Sequence, residues 1–163
     1  MNAAPRRDDQ AARAAGSGLV RDFGLLIKAA TLIEQRIDTA LRAECGISHT
    51  MFEVFIRLCR RPGEGVTQRR LADDLTLTSG GVTRLIDRME EAGLVRRAPS
   101  PEDRRSVLVE PTRQGRAVFL RAAAVHADVV ERYFVAPLDR EDYTRLTASL
   151  QGIHEALRET DPS

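Results

Sequence analysis

From Leu19 the apolar residues fall at Leu19, Phe23, Leu26, Ala30, Ile33, Ile37 and Ala40, stepping alternately by four and three. That spacing predicts an amphipathic helix with a seam like that of a coiled coil, and Gly46 supplies its stop. Such a helix is long for a globular core, so it either packs against several elements or is shared with a second chain. Ser48 is placed to cap a shorter helix reaching about Arg61, with Phe52, Phe55, Ile56 and Cys59 available inward, and Pro62-Gly63 ends it. Thr67 caps another, whose apolar face is Leu71, Ala72 and Leu75. After a Thr-rich turn a further helix opens near Thr78 or Ser79. Its inward stripe is Val82, Leu85, Ile86 and Met89, at i, i+3, i+4 and i+7, and Gly93 closes it.

The period then changes. Residues 94–97 and 107–109 read as extended runs, and the polar loop of residues 99–105 between them is too long for a tight turn, which predicts a hairpin with an extended tip. Pro111 ends the second strand because it cannot donate to a ladder. Thr112 opens a helix carrying Val118, Ala122, Val125 and Val129. Asp139 caps a last one, with a stripe of Tyr143, Leu146, Leu150, Ile153 and Leu157.

The expected fold is therefore mainly α with a small β-hairpin: a winged helix-turn-helix plus a helical dimerisation region. Residues 1–16 read as a flexible N-terminal tail, with a helix from Pro5 to Ala15 as the alternative. Residues 17–46 and 112–160 form the dimerisation region, its seam represented by Leu19, Phe23, Leu26, Leu146, Leu150, Ile153 and Leu157. Residues 48–111 form the DNA-binding lobe.

In such a lobe the second helix enters the major groove by its N-terminal turns. Projecting residues 78–91 on a helix sets Gly80, Arg84, Asp87 and Glu91 opposite the apolar stripe, with Gly81, Thr83 and Arg88 to the sides. Asp87 and Glu91 would repel phosphates, so contact is expected in the first two turns, through Thr78, Ser79, Thr83 and Arg84, with Arg88 beside them. Gly80 and Gly81 each cost a helix about 0.8–1 kcal/mol relative to Ala, which makes sense where the backbone must approach DNA closely. The hairpin loop offers a second contact, with Asp103, Arg104 and Arg105 near its far end. An Arg there suits a narrow minor groove, and Asp103 could fix the loop or orient an Arg. Arg69 and Arg70 are candidate phosphate contacts, although a solvated helix face explains them nearly as well.

Composition narrows the partner. The 163 residues carry a formal charge of +1, which excludes a histone-like protein or any partner held by bulk charge alone. Residues 60–105 hold ten positive against eight negative groups and residues 106–163 hold seven against nine, so the excess cations sit in the central lobe. Aromatic residues are 4% and tryptophan is absent, which disfavours a single-strand reader built on stacked rings. No apolar run suits a membrane span or a signal peptide, and Cys45 and Cys59 make no disulfide framework, so a cytoplasmic protein without a membrane partner is expected. Cys59 is expected in buried packing, and Cys45, beside a helix end, is less determined. His49, His126 and His154 have no metal-ligand spacing, and no nucleophile–base set or phosphate-cradling loop is present. An enzyme, a cofactor and a metal site are all unexpected.

The run LADDLTLTSGGVTRLIDRMEEAGLVRR, from Leu71 to Arg97, and PEDRRSVLVEPTRQG, from Pro101 to Gly115, resemble the helix-turn-helix and wing of the MarR family of bacterial transcriptional regulators. The family's wing motif has an Asp and an Arg two residues later, here Asp103 and Arg105. The resemblance implies a homodimer built by the terminal helices, one winged helix per protomer on a pseudo-palindromic operator, and a repressor relieved by a small ligand. It centres the recognition contacts on Thr83 and Arg84 and the wing contact on Arg105. The urate-sensing branch uses a tryptophan that this chain lacks, so that ligand is not transferred. The alternative is a protein-interaction module that keeps the winged helix without specific DNA readout.

Overall fold

The fold is that of a computed structural model, which describes residues 7–60, 64–100 and 106–159. In chain order come α1 (Arg7–Ala15), α2 (Gly18–Cys45), α3 (His49–Cys59), β1 (Val66–Thr67), α4 (Gln68–Leu75), α5 (Ser79–Glu91), β2 (Val95–Pro99), β3 (Val107–Pro111), α6 (Arg113–Val130) and α7 (Arg140–Glu159). A π-helical turn, Glu131–Val135, follows α6. The chain is thus mainly α with a small antiparallel sheet.

The helices begin where side chains can satisfy their first N–H groups. Ser48, Thr67, Thr78 and Thr112 accept from the N–H three residues on, in Met51, Arg70, Gly81 and Gly115. Asp139 does the same for Asp142 at 2.8 Å. Gly46 ends α2 in the left-handed region, φ 68°, where its N–H reaches back to the Arg42 carbonyl. Residues 7–15, within the segment read as a tail, are helical, because Ala11, Ala12, Ala14 and Ala15 carry the strongest helix propensity. Residues 1–6 and the Pro62-Gly63 stop lie outside the described residues.

The expected hairpin is present as β2 and β3, and the sheet extends beyond it. It has three strands in the order β1-β3-β2, because Val66 and Thr67 pair with Val109 and Leu108. A two-residue strand is too short to show alternation in sequence. Pro111 ends β3 as expected, standing as its last residue opposite Val95. A proline is tolerated at a strand end.

The core is assembled from α2 through α6. Leu41, Phe55, Leu71, Ile86, Met89 and Val109 are all fully buried. In α3 the buried set is Phe52, Val54, Phe55 and Leu58, while Ile56 and Cys59, expected inward, are half-buried. α3 packs against α2, α4, α6 and β3, so its buried set also takes in Val54 and Leu58. On α5 all four expected inward residues are buried.

The first turn of α6 sits hard against the start of β2. A Cβ at Gly115 would lie 1.9 Å from the Leu94 carbonyl oxygen, so only glycine fits. Thr112 N–H donates to that oxygen at 3.1 Å, and its hydroxyl donates to the Gly93 carbonyl at 2.7 Å. At the other end of the molecule apolar side chains stay exposed. Leu19, Phe23 and Leu26 on α2, and Ile153 and Leu157 on α7, all face solvent. Leu146 and Leu150 are half-buried. No described helix is long and apolar enough to cross a membrane.

Candidate nucleic-acid interface

The sequence of α5 divides cleanly between two environments. Val82, Leu85, Ile86 and Met89 fix one side in the core, which leaves Ser79, Gly80, Thr83, Arg84 and Arg88 exposed on the other. Thr78 caps the helix, so the partial positive charge of its N-terminus lies at the Ser79–Gly80 end of this face. Gly81, Arg84, Asp87 and Arg88 line one shallow groove along it.

The two glycines have different reasons. A Cβ at Gly81 would lie 3.1 Å from Thr78 Oγ1, so its small size leaves room for the cap. A Cβ at Gly80 meets nothing within 4 Å. Nothing inside the protein requires glycine there, and the outward face is the remaining place to look for the reason.

Thr83 is already engaged within the protein. Its hydroxyl donates to the Ser79 carbonyl at 2.9 Å and stands 3.3 Å from the Gln68 amide of α4. Oriented to satisfy both its ends, that amide turns its oxygen to Arg97, accepting from Nε at 2.9 Å and from a terminal nitrogen at 3.0 Å.

Arg97, on β2, is the residue that sequence reading passed over. Its guanidinium lies 2.6 Å from Asp87 Oδ1 and pairs with the Glu90 carboxylate. Its backbone N–H donates to Glu90 Oε1 at 2.9 Å. Burial pulls the Arg97 pKa down, but the hydrogen bonds and charges of the two acids outweigh it, and the net shift is upward. The acidic half of α5 is therefore partly neutralised across the turn by the wing strand, and Asp87, expected to repel phosphates, has a cationic partner. Glu91 is exposed. No sequence spacing signals this, because the partners are seven and ten residues away and on different elements.

Arg69 and Arg70 are both exposed on α4. Arg69 lines a groove with Thr67, Arg97 and Val107, beside the wing, whereas Arg70 is 3.9 Å from Asp74 on its own helix. Pairing of β2 with β3 reaches Pro99 and Val107, and Ser100 N–H donates to the Ser106 carbonyl. Asp103, Arg104 and Arg105 lie outside the described residues.

The remaining reactive groups are elsewhere. Cys59, expected in buried packing, is half-buried, and burial pushes its thiol up against a smaller opposing pull from Arg116, which disfavours the reactive thiolate. Among the described residues no three His, Cys, Asp or Glu side chains could hold a metal.

A family model described as the MarR family matches residues 42–106, from the end of α2 to the wing. The HTH-type transcriptional regulator YkoM of Bacillus subtilis is 32% identical over 113 residues, which cover 68% of this chain and 71% of YkoM. Among solved structures, Sco3205 of Streptomyces coelicolor, a MarR family transcriptional regulator in complex with DNA, matches at 25% identity with a TM-score of 0.76, covering 98% of this chain and 96% of that one. CouR of Rhodococcus jostii RHA1, bound to p-coumaroyl-CoA, matches at 29% identity with a TM-score of 0.72, covering 85% and 95%. The winged helix, its capped and exposed α5, and these relatives lead to one assignment: the chain belongs to the MarR family, whose members are transcriptional regulators and not enzymes.

Proposed function

We propose that this regulator is a homodimer that binds a pseudo-palindromic duplex, and that it is a repressor released by a small effector. The observation that carries the reading is the outward face of α5, where Ser79, Gly80, Thr83 and Arg84 are exposed in the first two turns of a capped helix and Arg88 is exposed in its last turn. Sco3205, crystallised with DNA, supports the same use of the scaffold. In this reading Arg84 reads a base edge in the major groove, Arg69 meets phosphate, and the loop holding Asp103, Arg104 and Arg105 follows the minor groove. The exposed apolar residues of α2 and α7 support a second copy as the partner that covers them.

Release by an effector has two supports. CouR is bound to p-coumaroyl-CoA. This chain also has a cavity of about 690 Å³ between the end of α3, the wing strands and the start of α6, lined among others by Cys59, Arg96, Glu110, Arg116 and Phe119. That volume is within the range of small-molecule sites.

Selection of duplexes from genomic DNA by the purified protein tests the reading. A two-fold symmetric motif is expected, with half-sites about one helical turn apart. On that motif Arg84→Ala is expected to lose about 1–3 kcal/mol of discrimination at one base position. Arg105→Ala is expected to weaken binding to every sequence and to make the salt slope shallower by about one. No enriched motif, or variants that bind like the parent, overturns it.

A further inference from the structure

A recognition helix with three carboxylates in its C-terminal half, Asp87, Glu90 and Glu91, is poorly suited to a polyanion. Asp87 shares its groove with Arg84 and Arg88, and it retains 48% of its side-chain exposure although Arg97 is paired with it. Arg97 is the more enclosed partner, at 26%. One guanidinium thus answers Asp87 and Glu90 of α5 from β2, while Gln68 of α4 accepts from its remaining N–H groups. Three elements of the lobe meet on this side chain. The cluster carries two negative charges and one positive, a net −1 in place of −2.

We propose that Arg97 is the positioning residue of the DNA interface, holding Asp87 and Glu90 so that α5 can lie against phosphates. Resting on the DNA-binding reading above, this gives Arg97 a role distinct from that of Arg84 or Arg105. It makes no contact with DNA itself, and its own charge is withheld from phosphate by the acids it holds. The geometry also ties the charge device to the reading end of the helix. Gln68 touches Arg97 on one side and the Thr83 hydroxyl on the other.

The consequence is an ordering set by charge. Arg97→Ala leaves the cluster at −2 and the parent is at −1. The triple variant Arg97→Ala, Asp87→Asn, Glu90→Gln is at 0, and the double variant Asp87→Asn, Glu90→Gln is at +1. The probe is a labelled random-sequence duplex, whose binding is governed by phosphate contacts and not by base readout. Affinity at low salt is expected to rise along that series, by about tenfold from end to end, and the differences to shrink as salt is added. The double variant, with Arg97 freed for phosphate, is expected to have a salt slope steeper by about one. A merely structural role predicts instead that all three variants bind more weakly than the parent, and that result overturns the proposal. If Arg97→Ala does not fold, as read by its circular dichroism, the near-isosteric double variant against the parent remains decisive. A slope and affinity equal to the parent's there overturn the proposal. A parent that binds no duplex at all overturns the DNA-binding reading and this one with it.

Discussion

Gly80 separates stability from function at a single carbon atom. Beyond the backbone of its own helix and its chain neighbours a methyl group there meets nothing within 4 Å, so it lies in open space on the outward side of α5. Replacing a helical glycine by alanine reduces the entropy lost on folding and stabilises by up to about 1 kcal/mol. The same methyl stands where DNA is proposed to approach. Gly80→Ala is therefore expected to raise the urea midpoint while weakening duplex binding several-fold. Parallel measurement of the two settles it, since a residue kept for folding alone would show the first change without the second. Gly81→Ala differs, because its Cβ would crowd the Thr78 cap. The contrast between adjacent glycines comes from the cap geometry and is invisible in the dipeptide.

At the scale of elements, the seam between α3 and α6 holds a titratable stack. His126 lies on Phe52 with ring centroids 4.8 Å apart and faces His49 at 6.0 Å. Burial and then His49 lower the His126 pKa below 6.5, while Glu53 opposes them. The unfolded chain then binds the extra proton more readily, so this contribution to stability is complete above about pH 6.5 and is lost as pH falls toward the folded value. Asp38 adds a separate loss in stronger acid. Its carboxyl is held below 3.8 by hydrogen bonds from Arg42 and the His49 N–H. The urea midpoint is expected to fall between about pH 7 and pH 5, and His126→Phe to flatten that step while leaving the more acidic loss in place. Most element boundaries were legible beforehand because they rest on local chemistry. Ser48, Thr67, Thr78, Thr112 and Asp139 accept N–H groups three residues away, and Gly46 and Gly93 adopt positive φ. What sequence could not supply depends on partners far along the chain. β1 exists because β3 is there to pair with it. The buried arc of α3 is set by its neighbours, and the Arg97 cluster by the turn that brings β2 back along α5.

For the whole molecule the two ends make different demands. The core is closed around the winged lobe, whereas Phe23 is 64% exposed and Leu157 is 67% exposed. Large apolar side chains left in solvent on two helices are surface that association can bury. For the proposed homodimer, the double variant Phe23→Asp, Leu157→Asp is expected to shift the protein from dimer to monomer by light scattering and to reduce operator affinity by at least tenfold, because each half-site is then bound alone. A variant that stays dimeric would remove these residues from the interface. Between the two ends runs α6, with 18 residues and therefore a length of about 27 Å. Its seat at Gly115 has no clearance, since even a methyl group would overlap the Leu94 carbonyl. A sideways shift of about 1 Å at its Val130 end would be a tilt of about 2°. Such a tilt would bear first on residues 93–95, held to α6 by the Gly115 contact and the Thr112 hydrogen bonds, where α5 passes into the wing.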